Sequence, residues 1–70
     1  MLYILKIKGT DTIPDFVQIR DTNMILRAYF RLSQAEKGLM KNNLKQEKND
    51  ILDMLRKMPF GKIHEYTKNA

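Results

Sequence analysis

The chain has no cysteine and no tryptophan, a single serine and a single histidine. Without cysteine no disulfide can staple a small fold, and no thiolate can hold zinc or an iron–sulfur cluster. With His64 alone, a two-histidine zinc site is excluded too. Nucleophilic catalysis needs an activated nucleophile beside an oriented base. Ser33 stands at the start of a helical pattern, where a cap explains it. His64 lies near the end of the sequence beside Glu65, in a short alternating segment. The three glycines, at 9, 38 and 61, are too scattered to form a phosphate-cradling loop. Asp50 and Asp53 share a helix face with Lys48 and Lys57, which a solvated, charge-balanced surface explains. They offer too few oxygens for calcium. No catalytic residue, cofactor or metal site is expected, and the chain reads as a non-enzymatic binding module.

Long apolar runs are also missing. Residues 1–7 are mostly apolar, but Lys6 and Lys8 interrupt them, and a bilayer span needs about 20 residues. No basic region precedes the run and no small-residue cleavage site follows it. It predicts a strand rather than a leader and, with the lack of cysteine, a cytoplasmic protein. No membrane association and no small-molecule substrate are expected.

What is present is a basic chain of 70 residues, with thirteen Lys and Arg against eight Asp and Glu, a net charge of +5. A chain this short buries only about 60% of its unfolded surface, so good packing or self-association must support it. The positive excess favours polyanionic partners, and it also serves solubility.

The composition changes once, near Ser33. Before it β-branched and aromatic residues dominate; after it come Leu, Met, Lys, Gln, Glu and Asn, which favour helix. Residues 2–8 read as a first strand. Gly9, Asp11, Pro14 and Asp15 mark a loop. Residues 16–21 alternate, with Val17 and Ile19 on one side and Phe16, Gln18 and Arg20 on the other. Asp21, Thr22 and Asn23 form a hairpin connection. Residues 24–32 alternate most clearly: Leu26, Ala28, Phe30 and Leu32 fall on one face, and Ile25, Arg27, Tyr29 and Arg31 on the other. Ser33 and Glu36 have capping-box spacing. They predict a helix over 34–41, and Asn43 is placed to cap a second over 44–57, the two being separate or one continuous element. The apolar stripe of the second runs through Leu44, Ile51, Leu55 and Met58. A continuous helix would also align Lys37, Lys41, Lys45 and Lys48. Pro59 ends the helix, Gly61 turns the chain, and residues 62–66 alternate as a short edge strand.

The fold class is therefore α+β. A three-stranded antiparallel meander is covered on one face by one or two helices, with a C-terminal edge strand. Residues 1–66 form a single domain and 67–70 a frayed tail. Met58-Pro59-Phe60-Gly61-Lys62-Ile63 resembles the Pro-aromatic-Gly-Lys-Val segment of alkylguanine DNA alkyltransferases over those six residues. The reactive-cysteine motif of that family has no counterpart here. The resemblance thus implies a shared way to end a helix and begin a strand, and no activity.

The face of the sheet turned away from the helices is the candidate site. Alternation sends Arg27, Tyr29 and Arg31 outward on the third strand and Phe16, Gln18 and Arg20 outward on the second. The first strand is apolar on both sides. With Leu5 and Ile7 turned inward, Lys6 and Lys8 join the open face. The candidate binding face is then Lys6, Lys8, Phe16, Arg20, Arg27, Tyr29 and Arg31. Such a face suits a protein partner or a second copy of the chain, because aromatics and arginine are enriched in interfaces. Cations beside rings also suit a single nucleic-acid strand, which stands as the alternative.

Overall fold

The computed structural model of the chain describes residues 1–67. Four strands form one antiparallel sheet: β1 (Leu2–Ile7), β2 (Phe16–Asp21), β3 (Leu26–Arg31) and β4 (Ile63–Tyr66), in the order β3-β2-β1-β4. A 3-10 turn over Leu32–Gln34 leads into α1 (Ala35–Lys41), and α2 (Lys48–Lys57) follows. The fold is the expected α+β arrangement, with both helices on one side of the sheet. The tail expected over 67–70 lies, beyond Thr67, outside the described residues.

The core lies between the sheet and the helices. Ile4, Val17, Ile19, Leu39 and Ile51 are completely buried, and Ala28, Phe30, Leu44, Leu55 and Met58 close around them. Each large aliphatic side chain removed from water contributes about 1.5–3 kcal/mol. On β2 and on most of β3 the inward residues are those that alternation selects.

β3 lies at an edge of the sheet, because β4 returns beside β1 and leaves β1 and β2 in the centre. Three features differ from the sequence expectations. Leu26 is exposed, since the β2–β3 pairing slips by one residue after Ile19 and sets Leu26 opposite Arg20 rather than in line with Ala28. Ser33 makes no capping hydrogen bond; it sits inside the 3-10 turn, and α1 starts at Ala35. The second helix begins at Lys48, four residues later than its apolar stripe suggests.

The last difference has a local cause. Asn43 adopts a left-handed conformation, φ 61°, and the Leu44 amide donates to the Leu39 carbonyl at 2.9 Å. That bond, with Leu39 and Leu44 both buried, is a Schellman closure of α1. Asn43 therefore ends the first helix instead of capping the second. The helices are two, and no continuous stripe runs through Lys37, Lys41, Lys45 and Lys48.

α1 packs against β3 through Gly38. A Cβ at that position would overlap the Phe30 ring, so the absence of a side chain lets helix and strand approach. α2 ends at Lys57, Met58 is extended before Pro59, and Gly61 turns with φ 81° into β4.

Candidate interaction face

β1 is decisive for the site, because both of its sides are apolar. Its pairing sets Ile4 opposite the buried Ile19 and Lys6 opposite the buried Val17. Ile4 and Lys6 therefore point to the helices, while Tyr3, Leu5 and Ile7 point away. This reverses the expected placement of Leu5, Ile7 and Lys6. The cause is a set of carbonyls. The end of a helix leaves its last carbonyls without partners inside the helix, and its dipole favours a cation there. The Lys6 ammonium donates to the Leu55 carbonyl at 2.7 Å and to the Met58 carbonyl at 3.0 Å. It also lies 4.4 Å from the Phe60 ring centroid, a cation–π contact. Lys6 is thus buried and belongs to the core, where it fastens the end of α2 to the sheet. Lys8 follows the same side: its ammonium is 5.0 Å from the Phe60 ring and 4.0 Å from the Asp15 carboxylate.

The other five candidates come together as expected. Phe16 and Tyr29 stack in parallel, with ring centroids 4.8 Å apart. Arg31 lies across from Phe16, and Arg20 and Arg27 lie in the next row toward the hairpin. The Arg20 guanidinium donates to the Met24 carbonyl at 2.8 Å, and that of Arg27 lies 3.5 Å from the Asp21 carboxylate. Arg31 is exposed and makes no side-chain hydrogen bond or ion pair among the described residues.

The strand pairing arranges this outer face in rows. One row runs Tyr29, Gln18, Leu5, Ile63 from β3 to β4. The next, toward the β2–β3 hairpin, runs Leu26 with Arg27, then Arg20, Tyr3 and Glu65. On the other side lie Arg31, Phe16 and Ile7. Tyr29 and Ile63 are 52% and 57% exposed, and Tyr3, Leu5, Ile7 and Phe16 are half-buried. No helix covers this face. Tyr3, Leu5, Ile7 and Ile63 are the members that sequence reasoning missed; the signal for the first three was the apolar character of both sides of β1, and for Ile63 the alternation of residues 62–66.

The hairpin at one end of the face extends it. Asp21 organises the turn, its carboxylate accepting from the Asn23 amide at 2.9 Å and the Ile25 amide at 3.1 Å. The Ile25 amide above all, with the Asn23 amide and Arg27, holds the carboxyl below its ordinary range. The left-handed position falls on Met24, φ 63°, and not on the adjacent Asn23. Met24, Ile25 and Leu26 stand exposed in succession.

On the opposite, helical side a groove of ≈ 490 Å³ is lined by Lys6, Leu32, Ala35, Leu52, Leu55, Arg56 and Phe60. Its buried ammonium is engaged by the two carbonyls and the ring, and the exposed Arg56 lines it without a hydrogen bond or ion pair among the described residues. Among the described residues no cluster of His, Asp and Glu is placed to hold a metal ion, and no helix is long and apolar enough to cross a membrane. No family model, curated protein or solved structure matches the chain.

Proposed function

We propose that the protein is a non-enzymatic interaction module whose outer sheet face binds a protein surface. The observation that carries this reading is the reversed phase of β1. It withdraws Lys6 and Lys8 from the face and substitutes Tyr3, Leu5 and Ile7. The site thereby loses two of its five expected cations and gains three apolar side chains. What is left is a largely apolar band, Leu5, Ile7, Phe16, Tyr29 and Ile63, interrupted by Gln18, with Arg27 and Arg31 on β3 and Arg20 on β2. An apolar core with aromatics and arginine, and with lysine displaced, is the composition of a protein interface. A face that reads nucleic acid needs cations along the strand to replace counterions, and here two of the five expected ones, Lys6 and Lys8, stand on the helical side. A cytoplasmic setting, expected from the cysteine-free composition, belongs to the same proposal.

The test is photo-crosslinking in the cell of origin, with a photoreactive residue at Leu5 or, as control, at Lys45 on the helical side. The expected result is a discrete protein adduct from position 5 and none from position 45. A fluorescent single-stranded oligonucleotide titrated against the purified chain should show no binding at physiological salt. Oligonucleotide binding with a slope near −2 in log K against log salt would replace the reading with a nucleic-acid one, since three arginines neutralising three phosphates give about −0.7 each.

A further inference from the structure

We infer that the occupant of this face is a second copy of the chain, packed sheet to sheet about a twofold axis that runs along the strands between β1 and β2; the inference rests on the reading above. Two arrangements bring the faces together with twofold symmetry. An axis across the strands lays β3 on β3 and sets Arg31 of one copy over Arg27 of the other, cation against cation. An axis along the strands lays β3 over β4 and β2 over β1 of the second copy, each row meeting itself reversed.

The second arrangement matches the side chains row by row. Tyr29 meets Ile63, and Gln18 meets Leu5. Phe16 meets Ile7. Arg20 meets the ring of Tyr3, a cation–π pairing. Arg27, the exposed bulge residue beside Leu26 that also contacts the Asp21 carboxylate, meets Glu65, the acid on β4 at the far end of that row. A twofold interface must be self-complementary, and a face with Arg27 on one edge strand and Glu65 on the other meets that condition under the axis along the strands. Two sheets packed this way keep their strands within about 30° of each other, so the central rows hold their partners best.

Four strands about 4.8 Å apart and six residues rising about 3.4 Å each make a face roughly 19 Å by 20 Å. A standard interface takes about 800 Å² of accessible surface from each partner. The projected face, roughly 400 Å² on those spacings, falls toward the small, transient class. The dimer is therefore concentration dependent and exchanges readily.

The experiment is sedimentation equilibrium of the purified full chain across a wide concentration range. Wild type should pass from monomer to dimer, with no higher species. Ile63→Glu, at an exposed position in the middle row of the contact, should weaken dimerisation at least about tenfold, since it sets a carboxylate against the Tyr29 ring of the second copy. Arg27→Glu and Glu65→Arg should each weaken it, and the double exchange should recover most of the loss. Circular dichroism of each variant confirms that it is folded. A chain that stays monomeric throughout overturns the inference, as does a dimer indifferent to Ile63→Glu. A monomer whose Leu5 position still crosslinks to a different protein overturns the homodimer and leaves the interaction face standing.

Discussion

A lysine between two apolar neighbours in a strand would ordinarily point to water. Lys6 does the opposite, because the carbonyls of Leu55 and Met58 give its ammonium two acceptors that would otherwise be left unpaired. Lys6→Met keeps the length of the side chain and removes the donor. It should lower stability by about 1–3 kcal/mol, the cost of stranding buried acceptors, measured as a shift in the urea midpoint. An unchanged midpoint would mean that the ammonium does not hold the end of α2. Met24 is a second residue against type. A methionine at φ 63° carries strain that glycine would not, of about 1 kcal/mol. Its side chain is 46% exposed and contributes little to the core. Met24→Gly should leave stability equal or raise it by up to about 1 kcal/mol, the gain in strain being partly offset by glycine's entropy. A clear loss would show that the side chain packs within the fold. Neither position was legible in the sequence. The turn itself was, but its positive φ fell one residue beyond the asparagine that tolerates it, and the acceptors of Lys6 lie some fifty residues away along the chain.

The elements were readable where one side of a strand or helix is polar. β2 and the Ala28–Phe30 part of β3 took the predicted faces, α2 ended before Pro59, and β4 paired as an edge strand with His64 and Tyr66 turned inward. β1 gave no such signal, since both sides are apolar, and the candidate face was misassigned there. The glycine in α1, Gly38, is the contact of that helix with β3. Gly38→Ala should destabilise by about 1–3 kcal/mol through overpacking against Phe30, although alanine is the better helix former by about 1 kcal/mol. Chemical denaturation decides between the two effects, and a stabilised variant would contradict the close approach. β4 is tied to α2 by the Tyr66 hydroxyl, which donates to the Asp50 carboxylate at 2.9 Å. Burial, and then this bond, push the phenol from its ordinary 10.0 up to about 12. The folded state holds that proton more tightly than the unfolded chain. The contribution is therefore complete below pH 10 and is lost as pH rises from about 10 to about 12. Tyr66→Phe should lower stability at neutral pH and flatten the alkaline limb of the stability profile. A limb equally steep in the variant would assign it to other groups.

Taken as a whole, the molecule separates its charge from its apolar surface. Lys37, Lys41, Arg56 and Lys57 are exposed on the helices and Lys45 between them, while the outer sheet face has arginine on β3 and β2 and a middle that is apolar apart from Gln18. That division follows from the phase of β1, and the exclusion of Lys6, the proposed interaction surface and the proposed twofold packing all depend on it. Because the natural chain has no cysteine, a single introduced thiol reports this phase without background. Leu5→Cys and Ile4→Cys are compared by their rates of thiol labelling in dilute, folded protein. Leu5→Cys should react at least about 100-fold faster, since a thiol in place of the fully buried Ile4 is reached only through opening of the structure. Equal rates, or faster labelling at position 4, would show that β1 faces the other way and that the apolar outer face does not exist.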